Sequence, residues 1–273
     1  MPGPAGRSGT RSLPVFAGAG ARPGSHMRAG AGRRAAYDRV VTELSAVIID
    51  WGGVLTQPIG DTVRDWIAAD QIDWDSYMAV IGPWLSDAYD TAAAPDGTAL
   101  PAAASPQADA LVNPVHALER GECTVAEFER LLAAHLVRTD GKSVLADGLL
   151  SRMLSASEPV PAMYQLIRGL RARGVRTALL SNSWGAGGYP REDFPDLFDA
   201  VVISGEVGMR KPAPEIYELG AERIGLEPGA CVFVDDLPFN LTPAADLGMA
   251  TVHHQTAGET IGELERLLGV TLR

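Results

Sequence analysis

Five short apolar runs, rich in β-branched residues, constrain this chain more than any other feature. They lie at 46–49, 175–180, 200–203, 231–234 and 249–252. Runs of this length without polar alternation suit strands buried on both faces of a parallel sheet. Helical patterns separate the later runs. The stretch 162–173 places Met163, Leu166, Ile167 and Leu170 on one face. The stretch 214–224 opens on Pro214 and stops before Gly225, which are start and stop signals for a helix, and 259–268 repeats the pattern. Strands alternating with helices predict an α/β fold: a doubly wound parallel sheet.

More than 120 residues separate the first run from the second, far more than one crossover helix needs. Residues 57–160 read as an inserted α-helical domain over the ends of the strands, so the α/β core comprises 38–56 and 161–273. The clearest amphipathic helix of the insertion spans 125–137, with Phe128, Leu131, Leu132, His135 and Leu136 on its expected apolar face. An alanine- and proline-rich tract at 91–106 reads as a flexible connection. Residues 1–37 carry six arginines and no acid among glycine, alanine and proline. That composition cannot bury much, and it reads as a disordered leader or a cloning-derived segment.

Charge narrows the partners. The formal net charge is −11, and the insertion alone carries 16 acids against six bases. Such a surface repels polyanions and argues against nucleic acid or an anionic membrane. No run approaches the about 18 apolar residues of a membrane span. Cys123 and Cys231 are the only cysteines, too few for a disulfide framework, and they suit reduced thiols in a cytoplasmic protein.

In an open parallel sheet, ligands bind beyond the carboxyl ends of the strands. The first run ends at Asp50, the second at Ser181-Asn182 and the fourth at Asp235-Asp236. Gly208-Met209-Arg210-Lys211-Pro212 follows the third, and Lys211 is one of only two lysines. Singly, the aspartate before Gly52-Gly53 suits a turn, and the Ser-Asn and Asp-Asp pairs suit helix caps. Converging on one face, a hydroxyl and an ammonium can bind a phosphoryl group, while carboxylates can hold a magnesium ion. Lysine at a helix start opposes the helix dipole, so Lys211 has no evident structural benefit there.

These segments resemble the haloacid dehalogenase-like (HAD) hydrolase superfamily. The resemblance is carried, in the family's order, by Ile48-Ile49-Asp50-Trp51-Gly52-Gly53-Val54-Leu55, Leu179-Leu180-Ser181-Asn182, Gly205-Glu206-Val207-Gly208-Met209-Arg210-Lys211-Pro212 and Val232-Phe233-Val234-Asp235-Asp236. It spans about residues 45–270 and implies a Rossmann-like core with a helical cap of the first subfamily. It further implies a magnesium-dependent phosphatase acting on a small-molecule phosphorylated substrate. Asp50 would be the nucleophile that forms an aspartyl-phosphate. Ser181 would bind a phosphoryl oxygen, with Asn182 beside it shaping the loop. Lys211 would neutralise charge on nucleophile and phosphoryl group. Asp236, the backbone carbonyl of Gly52 and Asp50 would ligate magnesium, with Asp235 in support or bound through water.

Gly52 departs from the family pattern, in which most phosphatases carry a general-acid aspartate two residues after the nucleophile. Losing a general acid typically forfeits about 10²–10⁴ in rate. Water or another group then supplies the proton, or the substrate has a good leaving group, or catalysis is weak and the chain is a binding or regulatory domain. Haloacid dehalogenation is the rival chemistry, because carbon–halogen displacement needs no general acid. It leaves the Asp235-Asp236 pair without a purpose.

Overall fold

Valine, isoleucine and alanine fill the first strand, β1 (Ala46–Ile49), and every one of its residues is buried. It forms the centre of a five-stranded, wholly parallel sheet in a computed structural model that describes residues 43–90, 113–185 and 188–272. The neighbours of β1 are β2 (Arg176–Ser181) and β4 (Cys231–Asp235). Outside these lie β3 (Ala200–Ile203) beside β2 and β5 (Ala250–His253) beside β4, giving the order β3-β2-β1-β4-β5. The sheet is doubly wound, with the Rossmann-like topology expected of alternating strands and helices. The expected leader at 1–37 and the tract at 91–106 lie outside the described residues.

Alternation along β1 decides which helices cover which face. Val47 and Ile49 pack with Met163, Leu166, Ile167 and Leu170 of a helix at Pro161–Arg171, and with Leu264 of the C-terminal helix Ala257–Leu268. Ala46 and Ile48 face the other way, against Ile216, Tyr217 and Ala221 of Pro214–Arg223 and Ala244 of Pro238–Asp246. Three of these helices begin on proline, whose missing N–H is unneeded in the first turn. Strand ends differ from the sequence expectation by one residue at β2, β4 and β5. Ser181 and Asp235 therefore belong to the sheet itself, and the ladder rather than the apolar composition sets where each strand stops.

Among the described residues, five helices lie between β1 and the helix at Pro161–Arg171. In chain order they are α1 (Ile59–Ala69), α2 (Trp74–Asp90), α3 (Pro114–Glu119), α4 (Val125–His135) and α5 (Leu149–Met153). After them come α6 (Pro161–Arg171), α7 (Phe194–Leu197), α8 (Ser204–Val207), α9 (Pro214–Arg223), α10 (Pro238–Asp246) and α11 (Ala257–Leu268). The chain leaves and re-enters the core through paired backbone. Gln57 N donates to Glu158 O at 2.9 Å, and Val160 N donates to Leu55 O at 2.9 Å. Between those points the helices share an apolar core of their own, including Val63, Trp66, Ile81, Leu118, Phe128, Leu132 and Met153.

Caps fix the helix starts. Asn113 Oδ1 accepts from the N–H groups of Val115 and His116 at the head of α3. Thr124 and Glu127 close a reciprocal capping box on α4. The inner face of α4 differs from the expected one. Phe128, Glu129, Leu132, Ala133 and Leu136 are buried, whereas Leu131 and His135 are exposed and the helix ends at His135. Glu129 takes an inward position because its carboxylate satisfies the start of α5, accepting from Gly148 N at 3.2 Å and Leu150 N at 2.9 Å. A polar residue can thus hold a core position when backbone donors meet it.

This arrangement separates two neighbouring leucines. Leu132→Ala removes a fully buried side chain and is expected to cost about 2–5 kcal/mol in urea-induced unfolding. Leu131→Ala, on the exposed flank, is expected to cost no more than about 0.5 kcal/mol in the same measurement.

Candidate active site

The central position of β1 places Asp50 between β2 and β4 at the carboxyl edge of the sheet. Its backbone N–H continues the ladder, donating to Val234 O at 3.0 Å, so the side chain is held at a fixed height above the strands. Lys211 arrives from the loop between α8 and α9. Its ammonium lies 2.9 Å from Asp50 Oδ1 and 2.6 Å from Asp235 Oδ2. Lys211 is 1% exposed, and the ring centroid of Phe233 lies 5.6 Å from its Nζ. The lysine has no solvent to lean on and depends on these partners for its charge.

The two aspartates closing β4 differ in how their oxygens are used. Asp235 is fully buried and already satisfied. Its Oδ1 accepts from Leu237 N at 2.9 Å and from Asn240 Nδ2 at 3.0 Å, and its Oδ2 faces Lys211. Asp236 Oδ1, in contrast, is buried with no hydrogen-bond partner. One carboxylate oxygen from each of Asp50, Asp235 and Asp236 can be chosen so that all three lie within 4.8 Å of one another.

Charge within this cluster does not balance. Burial raises Asp50 to about 7; Lys211 opposes the shift, while Asp235 and Asp236 add to it. Burial likewise raises Asp236 to about 6, with Asp235 reinforcing and Lys211 opposing. Burial disfavours the Lys211 ammonium, yet attraction to Asp235 and Asp50 outweighs it and holds that group above its ordinary range. Three carboxylates facing one ammonium would carry two uncompensated negative charges when ionised. A divalent cation would supply the missing charge, and the unpartnered Asp236 oxygen could serve as one of its ligands.

Backbone shape keeps this corner tight. Gly53 has φ of +74°, and a Cβ there would lie 2.3 Å from Asp236 Oδ2, so only glycine lets that carboxylate approach the turn after Asp50. A Cβ on Gly52 would lie 2.9 Å from Cδ1 of Ile59, the first residue of α1, which is 40% exposed. An aliphatic side chain from the insertion therefore covers Gly52.

On the β2 side, Ser181 is buried and its hydroxyl lies 2.9 Å from the Tyr189 hydroxyl. Both polar atoms of Asn182 engage the Lys211 backbone. Lys211 N donates to Asn182 Oδ1 at 2.8 Å, and Asn182 Nδ2 donates to Lys211 O at 3.0 Å. All the residues singled out in the sequence thus meet at one end of the sheet. Three neighbours were not singled out by the sequence. Asn240 was traceable from its place in the first turn of the helix after the Asp-Asp pair. Tyr189 and Glu119 carry no spacing signal, because each arrives through a loop or an insertion of arbitrary length.

The protein-family model of haloacid dehalogenase-like hydrolases matches residues 44–248, well over half of the chain. Among curated proteins, the chain is similar to acyl-CoA dehydrogenase family member 10 of Mus musculus, 31% identical over 243 residues that cover 83% of this chain and 19% of that protein. It is also similar to the sesquiterpene phosphatase astK of Aspergillus oryzae, 32% identical over 120 residues, covering 41% of this chain and 58% of the other. The chain thus spans about a fifth of the mouse protein and somewhat over half of the fungal one. A solved HAD family enzyme from Bacteroides thetaiotaomicron shares the fold, with a TM-score of 0.53 at 22% identity, covering 81% of this chain and 98% of that one. With four motifs in order on a doubly wound sheet and a family model that matches across them, the chain belongs to the haloacid dehalogenase-like hydrolases.

Proposed function

We propose that this hydrolase is a magnesium-dependent phosphatase of a small organic phosphate, working through an aspartyl-phosphate on Asp50. The observation that carries the reading is the division of labour around Lys211. One aspartate of the Asp-Asp pair is fully occupied holding the lysine, and the other presents a bare buried oxygen. A dehalogenase has no use for that second carboxylate, so the arrangement favours phosphoryl transfer. Asp50, Asp236 and the Gly52 carbonyl would hold the magnesium ion, with Asp235 in support. When bound, the ion supplies charge neutralisation for the phosphoryl oxygens.

In this reading an oxygen of Asp50 attacks phosphorus and the alkoxide or other leaving group departs with the electron pair of its P–O bond. Water then attacks the phosphorus of the aspartyl-phosphate, releasing inorganic phosphate and restoring the Asp50 carboxylate. Lys211 offsets the charge that develops on nucleophile and phosphoryl group. The Ser181 hydroxyl, held by Tyr189, donates to a phosphoryl oxygen, and Asn182 keeps the Lys211 backbone in place. No side chain at position 52 protonates the leaving group, which favours substrates whose leaving group departs readily.

We assign residues 57–160 as a cap that borders the substrate. Its separate apolar core and the paired backbone at its two ends support that division. Its acidity argues against nucleic acid as substrate. Two free cysteines support a reducing, cytoplasmic setting, and no helix among the described residues is long and apolar enough to cross a membrane.

Three outcomes check this reading. With magnesium present, the protein releases phosphate from an aryl phosphate, and Asp50→Asn abolishes the release; undiminished turnover by that variant excludes the mechanism. Chelation with EDTA stops the reaction and added magnesium restores it, while activity that survives chelation rules out the metal assignment. Gly52→Asp combined with Ile59→Ala, which clears room for the new side chain, raises turnover of alkyl phosphates by up to about 10²–10⁴. A binding module would instead release no phosphate from any monoester tested.

A further inference from the structure

Glu119, the last residue of α3, lies outside the reactive cluster and yet touches both loops that frame it. Its Oε2 accepts from Arg210 Nε at 2.5 Å, and its Oε1 accepts from Trp184 Nε1 at 3.1 Å. Arg210 directly precedes Lys211, and Trp184 lies three residues after Ser181. The ion pair is an internal one, with side chains 8% and 10% exposed. Desolvating two charges is costly, and only short, hydrogen-bonded geometry offsets the cost.

The two loops are already bound to each other beneath this carboxylate. Asn182 holds the Lys211 backbone at both its N–H and its carbonyl. Ser183 N donates to Ser204 Oγ at 2.8 Å, and Gly205 N donates to Ser183 Oγ at 3.2 Å. Just beyond α3 the insertion meets them backbone to backbone. A Cβ on Gly121, where φ is +71°, would lie 2.5 Å from the Gly205 carbonyl oxygen. The loop after β2, α8 and the loop that follows it are therefore bonded into one packed unit, and Glu119 is the charged point at which the insertion enters it.

We infer that Glu119 is a positioning residue: by holding Arg210 and Trp184 it sets the placement of Lys211 and Ser181, so that the seating of the helical insertion governs the geometry of the reactive cluster. The catalytic consequence rests on the phosphatase reading above; the effect on loop order does not. Removing a carboxylate that only stabilised the fold would lower the melting temperature without loosening the Lys211 loop.

Glu119→Ala alone strands a buried guanidinium and invites misfolding. The informative variant is the double substitution Glu119→Ala with Arg210→Ala, which removes both charges, with its folding checked by a cooperative thermal melt. Hydrogen–deuterium exchange then reads the Lys211 amide, whose N–H is bonded to Asn182. Exchange is expected to accelerate about 10-fold or more, and kcat on an aryl phosphate with magnesium to fall about 10-fold or more with KM changed less than about 2-fold. Trp184→Phe, which loses only the indole N–H, moves both quantities in the same direction by less. A double variant that melts at lower temperature but keeps the Lys211 amide protected overturns the inference, as does one whose kcat is unchanged. Should the unsubstituted protein release no phosphate, the phosphatase reading fails on its own, and exchange at Lys211 alone decides whether Glu119 positions the loop.

Discussion

An ammonium buried between two carboxylates organises this molecule. Lys211 lies within 2.9 Å of both Asp50 and Asp235, and losing either contact would leave charge in a place that water does not reach. Breaking a buried pair of this kind typically costs about 3–5 kcal/mol, so the pair demands that its three supports arrive together. Those supports are the end of β1, the end of β4 and the loop after α8. The strand order β2-β1-β4 makes the first two neighbours, and the Asn182 amide, from the end of β2, brings in the third.

From that demand follows the unequal treatment of the Asp-Asp pair. Asp235 spends its oxygens on Lys211, Asn240 and the Leu237 amide, which leaves it a structural anchor for the ammonium. Asp236 stands one residue further out, with its Oδ2 against the tight turn at Gly53 and its Oδ1 bare. Proton affinity at Asp50 and Asp236 is raised first by burial, to which the neighbouring carboxylates add and which Lys211 opposes. Phosphoryl transfer suits such a cluster because, beyond the covalent step proposed at Asp50, positioning and charge compensation carry most of the catalysis.

The helical insertion has an apolar core of its own, while Ile59 over Gly52 and Glu119 between Arg210 and Trp184 carry it onto the loops beside the Lys211 cluster. A rigid connection at Glu119 and an aliphatic contact at Ile59 differ in kind. The first is directional and buried, whereas the second is a half-exposed side chain able to yield.

The strands and the helices that flank them in the core were legible because burial on both faces demands unbroken apolar runs, and helix starts announce themselves through proline and capping residues. The placement of Asp50, Ser181, Asp235 and Asp236 was legible for a related reason: in a parallel sheet, polar residues at strand ends share one edge wherever they lie in the chain. Lys211, in the loop after α8, was legible through the motif that contains it. Periodicity failed at α4, where Leu131 and Leu132 are equally apolar and only the need of α5 for an acceptor turned Glu129 inward. Spacing could not distinguish Asp235 from Asp236, reveal that Ile59 covers Gly52, or pair Glu119 with Arg210 across 91 residues of chain. Sequence alone determined, to within one residue, which residues sit near the ends of the strands, because that follows from local pattern and the burial of a parallel sheet on both faces. Tertiary structure alone decided which carboxylate oxygen is bare, which is bonded and what lies above the glycines, because those properties depend on distances between segments that the chain brings together only by folding.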